Sequence, residues 1–339
     1  MKEFKKLYLF DLQTGKKINT LEQLKVIVKN ESKRYACSAY LDTNVISRFQ
    51  DYYNNPSLTD ILNEFNRIKK IKDLDLIGMG ASLEYSFDKM NMSYNYERFS
   101  DIENTFNKYI NDGYDGYLSF KSKSIYEDQK KIESFKNFSN DYLNITYVLF
   151  LKIIDIDRKE ITFIEKVKSF ILFMNNELKC LSSYELIIAC DIFCEKSESN
   201  FKKIIKQYNK IKRGELKKED IKRELINASW DIFHLRIAEL LYLDKKSDVK
   251  NDNKESYIIF ATLDKEFSNL INSRINAMNI LNQHNLIEFN KLNKCMEKDF
   301  EEIHKFQIQE YLNNDYNRKN NYSEELKINL EDKVFNFNT

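Results

Sequence analysis

Three short apolar runs interrupt an otherwise helical rhythm of hydrophobic positions along this chain. Residues 36–41 are apolar enough for a strand buried on both faces, and 74–77 and 257–261 repeat the pattern. A further strand is expected at 7–10. Between the runs, apolar residues recur every three or four positions: Leu58, Ile61, Leu62, Phe65 and Ile68 predict a helix capped at Ser57. Gly78 and Gly80 supply a turn into another helix. From about 100 to 225 the spacing is helical almost throughout, with segments at 102–110, 125–156, 161–178 and 184–193. A long helix is predicted over 218–243, a solvated loop over 244–255, and further helices over 267–281 and 286–311. The tail from 313 is rich in Asn, Lys and Glu and reads as loosely ordered.

Strand and helix alternating at both ends of the chain predict an α/β fold, a small parallel sheet covered by helices. The long helical middle makes the protein helix-rich overall. This organisation places a discontinuous core at 1–90 and 225–285, a helical insertion at 91–224, and a C-terminal helix and tail at 286–339.

Composition narrows the function classes. Six glycines and a single proline in 339 residues leave few helix breakers. With 54 basic and 53 acidic side chains the formal charge is +1, so any nucleic-acid site must be local. Five cysteines, at 37, 180, 190, 194 and 295, make no CxxC pair, and the N-terminus lacks an apolar run of signal-peptide type, which together predict a reduced, cytoplasmic protein. Cys190 and Cys194 share a helical spacing but have no second pair to complete a zinc site, so ordinary buried thiols are expected. The most apolar stretch, 147–156, is too short for a bilayer, and no membrane role is predicted.

The candidate chemistry is carboxylate chemistry. Asp42 follows the strand at 36–41 in Asp42-Thr43-Asn44-Val45, and Glu84 lies in the helix after Gly80. Asp231 lies in Ser229-Trp230-Asp231-Ile232, and Asp264 follows the third strand in Thr262-Leu263-Asp264. Ligands of such folds bind beyond the carboxyl ends of the strands, where Asp42 and Asp264 are placed. Four carboxylates can share one crevice only if a divalent cation neutralises much of their charge. Each acid alone also fits a helix cap or surface position. Asp231 stands out because its helical neighbours are mostly small or apolar, so a partner is required, and His234 one turn on is the candidate. Asp191 or Glu185 are the alternatives for the third acid.

The order Asp-Thr-Asn-Val after a strand, Glu in a helix about forty residues later, Asp beside an apolar helix and Thr-x-Asp after the next strand resembles the PIN-domain nucleases. The resemblance covers roughly 36–90 and 225–275. It implies a PIN-like α/β/α fold, with Asp42, Glu84, Asp231 and Asp264 holding Mg2+ or Mn2+ for RNA hydrolysis. It further implies that Asn44 steadies the first acid and that Thr262 shapes the turn of the last. The partners it implies are RNA, or DNA as the alternative substrate, together with an antitoxin or a second copy of the chain. A catalytically silent interaction module is the reading from a different class. The spacing from Glu84 to Asp231 exceeds that of compact members, which implies a helical insertion.

Two basic features lie nearby. Residues 201–223 carry ten basic side chains, among them Lys202, Lys203, Lys206, Lys210, Lys212 and Arg213, against three acidic ones. Such a stretch could contact phosphates or simply be a solvated helical hairpin turning at Gly214. Arg236 could reach a phosphate or pair with Glu239 or Glu224. Asp11-Leu12-Gln13-Thr14-Gly15 lacks the second acid of a phosphatase motif and reads as a turn.

Overall fold

The computed structural model describes residues 7–54, 60–89, 93–111, 125–180, 182–194, 217–243, 255–264, 278–281, 284–287, 294–312 and 321–335. The chain divides into two compact units, 1–137 with 233–272, and 138–232 with 273–339.

The first unit is built on a five-stranded mixed sheet. Its strands are β1 (Tyr8–Asp11), β2 (Lys16–Ile18), β3 (Tyr35–Leu41), β4 (Leu74–Ile77) and β7 (Glu255–Thr262), in the order β2-β1-β7-β3-β4. β7, β3 and β4 are mutually parallel, whereas β1 runs antiparallel to β7 and to β2. The three parallel strands are the apolar runs at 36–41, 74–77 and 257–261. Apolar residues on both faces are what a parallel strand covered by helices requires. Cys37, Ala39 and Leu41 of β3 and Tyr257, Ile259 and Ala261 of β7 enter one core. The opposite face carries Tyr40 and Phe260, whose rings stack with centroids 6.0 Å apart. The segment read as a turn joins β1 to β2: Asp11 accepts from the backbone of Gln13 and Thr14 and from the Thr14 hydroxyl, and Gly15 supplies the left-handed residue (φ 65°).

The helices of this unit are α1 (Leu21–Glu31), α2 (Thr43–Asn54), α3 (Asp60–Ile68), α4 (Met79–Ser86) and α5 (Tyr96–Asn111), with the short pair β5 (Phe87–Asp88) and β6 (Ser93–Tyr94) between the last two. Thr20 caps α1 by accepting from Gln23 N–H. Val45, Ile46 and Phe49 of α2, Phe65 and Ile68 of α3, and Ile102, Phe106 and Ile110 of α5 complete the core. The Ser57 cap lies outside the described residues.

The second unit is mainly helical. It contains most of α6 (Ile125–Asp157), then α7 (Phe163–Leu172), a π-helical turn (Phe173–Glu177) and α8 (Ser183–Phe193). The first part of α9 (Lys218–Leu243), β8 (Met278–Leu281), β9 (His284–Ile287), α10 (Lys294–Leu312) and α11 (Glu324–Phe335) follow. A capping box between Thr162 and Glu165 starts α7. Three expectations are corrected here. The ends of the helices predicted at 267–281 and 286–311 that face each other in sequence are the antiparallel ladder of β8 and β9, and the described helix of the second prediction is Lys294–Leu312. Asn279 and Asn285 alternate with apolar neighbours in that ladder, a pattern that suits a hairpin and weakens a helix. The described part of the tail, 321–335, is not loose: α11 buries Leu330, Val334 and Phe335, and the Ser323 hydroxyl accepts from Leu326 N–H at its start. Its buried apolar positions are few but lie on one side, so one buried stripe outweighs a polar composition. Finally, Cys37, Cys180 and Cys190 are free thiols, but Cys194 is disulfide-bonded, so the expected fully reduced set does not hold.

Among the described residues no helix is long and apolar enough to cross a membrane.

Candidate metal centre

The parallel register brings three strand ends to one edge. Leu41 lies opposite Ala261, and Tyr40 opposite Ile77, so the residues that follow β3, β7 and β4 emerge side by side. These are Asp42, the Thr262-Leu263-Asp264 turn, and Gly78 leading into α4, which carries Glu84. From α9, His234 of the first unit completes the group. Among the described residues, Asp42, Glu84 and His234 form a set of possible ligand atoms all within 4.8 Å of one another.

Asp42 is 3 % exposed and is held at both oxygens. Its Oδ1 accepts from Thr43 N–H at 2.7 Å, and its Oδ2 accepts from the Thr262 hydroxyl at 2.7 Å. The Thr262 hydroxyl in turn accepts from Asn44 Nδ2 (3.1 Å) and from Asp264 N–H (3.0 Å), while Asn44 Oδ1 accepts from Leu263 N–H (2.8 Å). Asn44 thus clamps the end of β7 and reaches Asp42 through Thr262. The same hydroxyl folds the turn at Asp264.

Glu84 Oε2 accepts from the Thr43 hydroxyl at 2.5 Å and lies 2.9 Å from His234 Nε2, while its Oε1 accepts from Lys89 Nζ at 3.2 Å. His234 Nε2 also lies 3.0 Å from Thr43 Oγ1 and 4.0 Å from Asp42 Oδ1. On the far side of the ring, Nδ1 lies 3.0 Å from Tyr40 Oη. Gly80 is what admits that phenol: a Cβ there would overlap Tyr40 Oη. Alanine favours a helix interior over glycine by about 1 kcal/mol, so the glycine in α4 is explained by this close approach.

The two carboxyls are driven in opposite directions. Burial raises the Asp42 carboxyl above its ordinary range and the Glu84 charge adds to this, against His234, Thr262 and Thr43, which act to lower it. Burial also pushes Glu84 upward, but the hydrogen bond and charge of His234, with Lys89 and Thr43, hold it down at about 2. Tyr40 is raised well above its usual value by burial and by the charges of Asp42 and Glu84, so it stays a neutral phenol.

Of the predicted site residues, Asp42, Glu84 and His234 converge; Asp231 and Asp264 are not in the group of three. Asp264 is half-buried on the turn after β7, and Asp231 is half-buried on α9 in the second unit. His234 was expected to serve Asp231; its ring nitrogens face Tyr40, Thr43 and Glu84. Arg236 is half-buried two residues further on. Glu185 is buried in the second unit, where its carboxylate accepts from Thr146 Oγ1 at 2.8 Å and from Ser182 Oγ. Asp191 is half-buried on α8 of that unit. The basic residues Lys202, Lys203, Lys206, Lys210, Lys212 and Arg213 lie outside the described residues. Thr43, Tyr40, Lys89 and the spatial need for Gly80 had no assigned role in the sequence reading. Only Thr43, which adjoins Asp42, carried a signal that could have found it.

One buried and one half-buried carboxylate, with an imidazole whose Nε2 faces them, suit a divalent cation by donor chemistry. No known protein family, no curated protein and no solved structure matches this chain.

Proposed function

We propose that this chain is a PIN-like, metal-dependent nuclease that hydrolyses RNA at the edge where β3, β4 and β7 end. The observation that carries the reading is the convergence of Asp42, Glu84 and His234 at that edge. The order of strand, Asp-Thr-Asn and a later acid-bearing helix gives it a second support. Asp264, on the adjoining turn, is proposed as a further acid of the reaction, and Arg236 as a phosphate contact.

A divalent cation bound there would polarise the phosphodiester and activate a water, so no protein nucleophile is needed. Asp42, Glu84 and His234 would hold it. Thr262 and Thr43 fix both oxygens of Asp42, and Asn44 keeps Thr262 in place, so the first acid enters the reaction already oriented. Burial of Asp42 and His234 keeps bulk water from one side of the group.

One observation favours a second reading. Glu84 is already satisfied by Thr43, His234 and Lys89, so the group can stand as a closed hydrogen-bonded knot in a catalytically silent interaction module. The two readings separate when the full-length protein is incubated with RNA and with single-stranded and flap DNA, each with Mn2+ or with chelator. RNA cleavage that chelator abolishes and Asp42→Asn reduces by orders of magnitude is expected. Cleavage of DNA alone would move the substrate, and an Asp42→Asn protein that cuts RNA as well as the parent would exclude the site. No cleavage, with a melting temperature indifferent to cations, would leave the interaction module.

A further inference from the structure

A set of ligands containing an imidazole differs in kind from a set of carboxylates. Mg2+ demands oxygen ligands in a near-ideal octahedron and keeps much of its water, whereas first-row transition cations accept imidazole nitrogen readily. His234 is 0 % exposed, and its Nε2 is the atom that faces Glu84 and Asp42. The far nitrogen meets Tyr40 Oη at 3.0 Å, and Tyr40 is itself fully buried and braced against Phe260. A hydrogen bond at the far nitrogen fixes which nitrogen is free to ligate and which way the ring points. In this structure Nε2 shares a proton with Glu84 Oε2 at 2.9 Å, and a cation bound there would take the place of that proton while Nδ1 keeps its contact with the phenol.

We propose that His234 Nε2 is a metal ligand, that Tyr40 is its positioning residue, and that the site is therefore selective for a first-row transition cation over Mg2+. This rests on the metal-site reading above but goes beyond it, since a carboxylate-only site would carry no such preference. The charge balance agrees. Of the three converging side chains only Asp42 and Glu84 are acids, and Lys89 already offsets part of Glu84 at 3.2 Å. A ligand set with two carboxylates and an imidazole attracts a hard, strongly hydrated cation less than an all-carboxylate set does.

Mn2+ is the most demanding probe, because it binds most weakly of the transition series. Binding is read on the full-length protein, without substrate, from the loss of the free Mn2+ EPR signal, from competition by Mg2+, and from the cation-dependent shift in melting temperature. Mn2+ is expected to bind at least about tenfold more tightly than Mg2+. His234→Asp should collapse that ratio by restoring an all-carboxylate set. Tyr40→Phe, which retains the ring but not the oxygen, should weaken Mn2+ by about tenfold, the scale of an outer-shell partner, while sparing Mg2+. Equal affinity for the two cations in the parent overturns the inference but leaves a metal-dependent nuclease standing. A preference that survives His234→Asp, or Mn2+ affinity unaltered in Tyr40→Phe, has the same consequence. No EPR depletion and no melting shift with either cation overturns this inference and the metal-site reading together. Should His234→Asp fail to fold, Tyr40→Phe and the parent comparison still decide.

Discussion

At the scale of single residues, Gly80 and Thr262 carry the sharpest consequences. A helix normally gains about 1 kcal/mol when glycine becomes alanine, but a Cβ at position 80 would overlap Tyr40 Oη. Gly80→Ala is therefore expected to destabilise by about 1–3 kcal/mol, the usual cost of overpacking a filled interior, and the sign of the change in a denaturation midpoint decides. A gain in stability would mean that Tyr40 has room elsewhere. Thr262 is fully buried, and its hydroxyl serves Asp42, Asn44 and Asp264 at once. Thr262→Val keeps the shape and leaves those partners unsatisfied, an expected loss of about 1–3 kcal/mol measured by denaturation, whereas Thr262→Ser should retain most of the stability. A loss in Thr262→Ser with none in Thr262→Val would place the contribution in the methyl group instead. The sequence exposed Asp42 and Thr262 because strand ends position them. It could not show that His234 turns towards Tyr40 and Glu84, because α9 is apolar around much of its circumference at Ile232, Phe233 and Leu235 and no periodic stripe marks the face that meets the sheet.

Elements were legible where burial leaves a continuous apolar run. β3 and β7 could be read directly, since a strand buried on both faces is such a run, and β4 is the short edge run Leu74–Ile77 interrupted by Asp75. α11 could not, because polar composition masked a single stripe, and β8 with β9 were absorbed into helices by their neighbours. The stripe on α11 makes a direct comparison available. Leu330 is 2 % exposed and Ile328, on the same helix, is 52 % exposed. Leu330→Ala is expected to cost about 2–5 kcal/mol, through lost burial and the cavity left behind. Ile328→Ala should stay within about 0.5 kcal/mol of the parent. Chemical denaturation of the two variants checks this; a negligible loss in both would be the behaviour of a loose tail. The Tyr147 hydroxyl donating to Glu331 at 2.8 Å and Arg158 donating to the Lys333 carbonyl at 3.0 Å give the helix polar anchors beside its apolar ones.

For the whole molecule the governing quantity is charge, and here the chain as a whole is nearly silent. With 54 basic and 53 acidic residues there is no overall field to draw a polyanion in, so any affinity for RNA would have to come from a local excess. The largest such excess in the sequence is the stretch with ten basic residues against three acidic ones between 201 and 223. If phosphates are held there, binding releases counterions, and the logarithm of the affinity falls with the logarithm of salt by about 0.7 per single-strand phosphate neutralised. Replacing Lys202, Lys203, Lys206, Lys210, Lys212 and Arg213 together with glutamine is therefore expected to flatten that slope by up to about 4 and to weaken binding at low salt far more than at high salt. Fluorescence anisotropy with a labelled RNA across a salt series measures it, using Asp42→Asn as the parent so that cleavage does not intrude. The group of Asp42, Glu84 and His234 predicts nothing of the kind, since its two acids would repel a backbone unless a cation were bound. A slope unchanged by the six substitutions would assign phosphate recognition to the edge of the sheet, where Lys89 beside Glu84 and Arg236 on α9 become the cations to replace next.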